Sequence, residues 1–78
     1  MRLKIYSEGH RQWYDMMDNA HRRDGPAFEG ADGSREWFIH GKRHRTDGPA
    51  IDRSNGYKYW YENDKMIYSN VPRTFDVL

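Results

Sequence analysis

Two short runs, His21-Arg22-Arg23-Asp24 and His44-Arg45-Thr46-Asp47, each set an imidazole, a guanidinium and a carboxylate within four residues. Histidine beside aspartate is the pairing of a general base with its orienting acid, so the runs invite a hydrolase or nuclease reading. Four histidines, His10, His21, His40 and His44, also invite a metal reading. The chain has no cysteine to join them, and zinc sites carry tighter signatures than this. A third chemistry is suggested by His40-Gly41-Lys42-Arg43-His44-Arg45, a basic run with tyrosines and tryptophans nearby on which unpaired bases would stack.

The repetition of these groups argues against the first two. Residues 21–43 align with 44–66, and nine of the 23 positions are identical, including the block His-Arg-x-Asp-Gly-Pro-Ala, then Gly33/Gly56, Trp37/Trp60 and Lys42/Lys65. A degraded half-copy precedes them, with Gly9-His10-Arg11-Gln12-Trp13-Tyr14 matching Gly33-Ser34-Arg35-Glu36-Trp37-Phe38. A catalytic group is rarely needed twice, whereas a turn is needed in every repeat. Asp-Gly-Pro-Ala is turn chemistry: Asp accepts backbone amides two residues on, Gly frees the backbone, and Pro fixes φ and starts a strand. The block is therefore read as a connector between hairpins, the chain as non-enzymatic, and no cofactor or metal is assigned. By the repeat phase, His21 and His44 lie one hairpin apart and are not expected to converge. The basic run is interleaved with Asp24, Asp32, Glu36 and Asp47 in a chain of net charge +1, which fits Arg–Asp pairs on a solvated face.

The elements that carry these groups follow from the turns. Asp32-Gly33 and Asn55-Gly56 are the dipeptides favoured by two-residue type I′ hairpins. That turn sets Phe28 opposite Trp37 and Ile51 opposite Trp60. It also sets Glu29 against Glu36 and Arg53 against Lys58, like-charge pairs that only solvation or a bulge would relieve. The expected fold is all-β: an antiparallel meander of about three hairpins forming a thin twisted sheet, with a C-terminal tail. The chain is one domain, 1–78, made of a degraded first hairpin at 1–20, repeats at 21–43 and 44–66, and a tail at 67–78 that could cover one face. One short helical turn is allowed at 14–20.

Strand alternation assigns the faces. Tyr57, Tyr59 and Tyr61 point one way and Lys58, Trp60 and Glu62 the other. Trp37 and Trp60, paired with apolar residues in this register, are taken as core. Tyr57, Tyr59 and Tyr61 are taken as partner contacts, with Arg45 and Lys58 as a polar rim, because aromatic residues and Arg are enriched at interfaces.

Composition supports a folded binder. Leu, Ile, Val and Phe number only eleven of 78 residues, yet twelve residues are aromatic, so the core is expected to use ring faces. No apolar run is long enough to span a membrane, and residues 1–11 lack the apolar segment of a secretory signal, so a cytoplasmic location is expected.

The pattern Asp32-Gly33, Trp37-Phe38, Gly41-Lys42, His44-Arg45, Asp47-Gly48-Pro49-Ala50, Asn55-Gly56 and Trp60-Tyr61 resembles the short β-hairpin repeats of bacteriophage and large-virus proteins. Those repeats look like relatives of MORN repeats and of MORN-like antitoxin modules. The resemblance covers residues 21–66, reaches 1–20 loosely, and stops before 67–78. Asp64 stands where the pattern has Gly, and Ile67-Tyr68 where it has His-Arg, as at a capped end. The resemblance implies a binding or scaffolding role and brings over no catalytic residue. The leading reading is a protein-binding module, in its sharpest form a phage-encoded inhibitor of a host protein such as a bacterial defence or CRISPR effector. A single-stranded nucleic-acid binder and a MORN-like antitoxin or structural fragment are the alternatives.

Overall fold

The computed structural model describes residues 2–72 and contains no helix among them. Nine strands alternate with turns: β1 (Arg2–Ile5), β2 (Arg11–Tyr14), β3 (Phe28–Glu29), β4 (Arg35–Glu36), β5 (Phe38–Ile39), β6 (Lys42–Arg43), β7 (Ile51–Asp52), β8 (Lys58–Glu62) and β9 (Lys65–Ser69). Seven form one antiparallel sheet in the order β1-β2-β3-β4-β7-β8-β9, and β5 pairs with β6 as a separate hairpin. Strand β9 runs through the boundary at 66/67 that separates repeat from tail in the sequence. The part of the tail from 73 onward lies outside the described residues.

The turns differ from the expected type, and the register moves with them. At Asp32-Gly33 and Asn55-Gly56 only the glycines are left-handed, with φ of 91° and 93°. The amides of Gly33 and Gly56 bond the carbonyls of Gly30 and Arg53, three residues back. These are type I turns closed by a left-handed Gly, the three-residue hairpin with a bulge, rather than type I′. Asp32 and Asn55 are not idle there: their side-chain oxygens accept the amides of Ser34 and Tyr57, each at 3.0 Å.

The extra loop residue slips the pairing by one. Phe28 faces Glu36, not Trp37, and Ile51 faces Tyr59, not Trp60. The slip removes the like-charge clashes: Glu29 now faces Arg35, and Asp52 faces both Arg35 and Lys58. Arg11, Glu29, Arg35, Asp52 and Lys58 thus form a row of alternating sign across five strands. Within it Arg35 and Lys58 bond the Asp52 carboxylate at 2.7 and 2.8 Å. True two-residue turns with both φ positive occur elsewhere, at His40-Gly41 and Asn63-Asp64. Neither turn was among those expected, so the two hairpins they close were missed.

The doubled block makes the same internal bonds in both copies. Arg45 lies over the Trp37 ring at 3.8 Å, donates Nε to Asp47 at 3.0 Å and Nη1 to the Pro49 carbonyl at 3.1 Å. Arg22 repeats this on Trp13 at 3.9 Å, with Asp24 at 3.1 Å and the Pro26 carbonyl at 3.2 Å. The Asp of the block therefore holds the Arg head rather than a backbone amide. Ala27 and Ala50 are wholly buried, their carbonyls accepting the amides of Trp13 and Trp37. Among the described residues no larger side chain is fully buried, so each Trp–Arg stack is bonded through its backbone to a small buried residue. Trp60 has Tyr68 at 5.1 Å where an Arg would otherwise lie. The array ends with a ring in place of a guanidinium.

The glycine of the block is explained by the same clamp. A Cβ at Gly48 would sit 2.8 Å from Arg45 Cζ, and at Gly25 3.0 Å from Arg22 Cζ. Gly48→Ala should therefore expel Arg45 from Trp37 and cost about 1–2 kcal/mol, read as a lower urea midpoint. Gly56→Ala meets no neighbour and tests only the backbone cost of its left-handed φ.

Candidate functional site

The first copy carries a cluster that the second lacks. Strand β2 ends at Tyr14, and the chain turns through residues 15–19. Asp15 closes that turn: its Oδ1 accepts the amides of Met17 and Asn19, both at 2.9 Å. This turn replaces the helical turn allowed for 14–20. The Asp15 Oδ2 is 2.7 Å from His40 Nδ1, and the His40 ring stacks on that of His21 with centroids 4.0 Å apart. Asp15 and His21 are buried, whereas His40 is exposed. One donor atom from each of the three lies within 4.8 Å of the others.

Their positioning follows from the repeat. His40 sits at the first left-handed place of a type I′ turn, φ 48°, and its amide donates to His21 Nδ1 at 2.9 Å. Asn63 does the same in the next copy, φ 49°, donating to His44 Nδ1 at 3.0 Å. The histidine of the block is thus an acceptor for the next turn in both copies, and an accepting Nδ1 leaves the proton on Nε2. His21 and His44 do not meet, but His21 and His40 do. The spacing of 19 residues from block histidine to turn tip, shared by His44 and Asn63, was the available signal. Asp15 has no counterpart in the alignment and could not be found that way.

Electrostatics at the cluster are divided. The His40 hydrogen bond holds the Asp15 carboxyl well below the usual carboxylate range, helped by the turn amides. Burial depresses His21 below 6.5, with His40 and Arg23 adding to it. A histidine kept neutral in the fold and free to protonate when unfolded destabilises the fold as pH falls. Stability owed to His21 is complete above 6.5 and declines as pH drops from there toward its folded pKa. A urea midpoint that falls between pH 8 and pH 5, with a shallower fall in His21→Gln, is the expected result.

The five residues expected at an interface do not share one face. Tyr57 is exposed, and Tyr59 and Tyr61 are half-buried on the same side of β8. Tyr59 lies beside Ile51, so it covers part of the core as well. The Tyr61 ring lies under Arg43 at 4.2 Å, and its hydroxyl accepts from Arg43 Nη1 at 3.1 Å. Met66, opposite Tyr61 and 51% exposed, extends the stripe and was missed because the last turn was missed. Arg45 is held in the Trp37 clamp, and Lys58 is bonded to Asp52 on the other face. The basic run is similarly occupied: Arg43 Nε donates to Asp64 at 2.7 Å, and His44 accepts Asn63.

Comparisons with protein-family models, with curated proteins and with solved structures found no match to this chain. No helix among the described residues is long and apolar enough to cross a membrane.

Proposed function

We propose that this chain is a non-enzymatic protein-binding module whose contact surface is the tyrosine face of the last hairpin. One observation carries the reading. The His, Arg and Asp of the doubled block are engaged in internal bonds in both copies, while Tyr57 and Met66, at the last hairpin, are exposed. Large aromatic and thioether side chains held on a hairpin offer contact area at low entropic cost. The resemblance to phage and large-virus hairpin repeats narrows the proposal to an inhibitor of a host protein in the host cytoplasm, a bacterial defence or CRISPR effector being the sharpest case.

Affinity capture from bacterial lysate, with and without nuclease and at two salt concentrations, tests the class. A protein partner should survive nuclease and moderate salt, and should be lost with a Tyr57→Ala/Met66→Ala variant. Phosphate contacts release counterions, so a nucleic-acid ligand should weaken steeply with salt. Capture of nucleic acid alone would favour the single-stranded binder.

A further inference from the structure

We propose that Asp15, His21 and His40 bind one divalent first-row metal ion of the zinc type. The donor set is two imidazoles and a carboxylate, the nitrogen–oxygen combination such ions take with positions left for water. The donors converge from three separated points of the chain: the end of β2, the start of the connecting block, and the tip of the β5–β6 turn. The donors lie within 4.8 Å of one another, with Asp15 Oδ2 and His40 Nδ1 at 2.7 Å, against the roughly 3.3 Å between donors about 2.0 Å from a tetrahedral ion. The His21 and His40 rings, stacked with planes 22° apart, must tilt so that their in-plane lone pairs meet, and His40, exposed on a turn, is the member that moves.

Each ligand has a distinct adjustment to make. Asp15 anchors its turn through Oδ1, while Oδ2, which accepts from Asn19 Nδ2 at 3.3 Å and faces His40 Nδ1, exchanges those bonds for the ion. His40 shares a proton with Oδ2 through Nδ1, and moving that proton to Nε2 frees Nδ1 without changing the charge. His21 accepts the His40 amide, so coordination through either ring nitrogen gives up that bond. Beyond the ligands lies an open cleft of about 550 Å³ bordered by Met16, Met17, Arg23 and Asp24, which admits the ion and its remaining waters. The second copy is the natural control. Asn63 keeps the backbone geometry and the amide bond of His40 but brings no imidazole.

The test is titration of the full chain with zinc chloride by calorimetry, and with cobalt chloride by visible absorption. One equivalent should bind, with a cobalt band and a shift of the His40 amide resonance as its bond to His21 is released. His40→Asn, which copies the second repeat, should keep the circular dichroism spectrum and weaken binding more than about 100-fold. That exceeds the 10–100-fold expected of a merely supporting hydrogen-bond partner. Asp15→Asn retains an acceptor for the turn amides and should also weaken binding, while His10→Asn should not. The proposal is overturned if the wild type shows no saturable one-to-one binding. It is equally overturned if folded His40→Asn and Asp15→Asn bind as the wild type does, or if His10→Asn alone removes binding.

Discussion

Replacing Trp37 with alanine should remove about 3 kcal/mol of stability, a quarter or more of the whole, and lower the urea midpoint sharply. Trp37 is the central ring of the array, covered by Arg45 at 3.8 Å, with Arg35 at 5.4 Å. Among the described residues the wholly buried side chains are those of Ala27 and Ala50, too small to fill the space a lost ring leaves. Trp→Ala in a core costs about 3–5 kcal/mol, and a half-buried ring falls near the lower figure. The loss also strands Arg45, whose bonds to Asp47 and the Pro49 carbonyl hold the connection to the next repeat. At about 0.05–0.15 kcal/mol per residue, a chain of this size has a total stability of only about 4–12 kcal/mol. Far-UV circular dichroism against urea is the measurement. Trp60→Ala removes the terminal ring contact with Tyr68 but strands no guanidinium clamp, and should shift the midpoint by less than half as much. Equal shifts in the two variants would show that the Trp–Arg stacks are not what holds the repeats together.

The second large effect concerns binding. Alanine at Tyr57 and Tyr61 together should lower partner affinity by about 30-fold or more, the equivalent of about 2 kcal/mol. Tyr57 is the cleaner probe, because it is exposed and no side-chain hydrogen bond depends on it. Tyr61 supports Arg43 through its hydroxyl, so Tyr61→Phe separates that bond from the ring's contact area. Tyr59→Ala should lower both stability and affinity, since Tyr59 flanks the buried Ile51. A double variant that binds as tightly as wild type, with its fold intact, would move the interface to the tryptophan face or to the edge strands.

How much of this was legible in the residues can be judged element by element. The doubled block was read correctly as a connector, because Gly-Pro at a fixed phase has few other uses. The Arg clamp on the preceding Trp was not readable from it: the two lie eight and nine residues apart, and only the fold of the connection brings them to van der Waals distance. The hairpins at Asp32-Gly33 and Asn55-Gly56 were placed correctly, but their register was off by one. Both turn types accept Asp-Gly or Asn-Gly, and the choice rests on one residue's φ. The like-charge pairs forced by the two-residue turn were the visible warning. The Tyr stripe was found by alternation, which needs no register, whereas the partners of that stripe needed it. Asp15 and His40 lie outside the repeat logic that made the rest readable.

The sequence by itself determined the class of fold, the repeat length and the role of the doubled block, because local turn chemistry and period-two alternation act within a few residues. Tertiary structure alone decided the register, the pairing of each Arg with a Trp and the meeting of Asp15, His21 and His40. Each of these depends on long-range contacts across the sheet. A single extra residue in a loop reverses which side chains face one another, and no local propensity is strong enough to fix that choice.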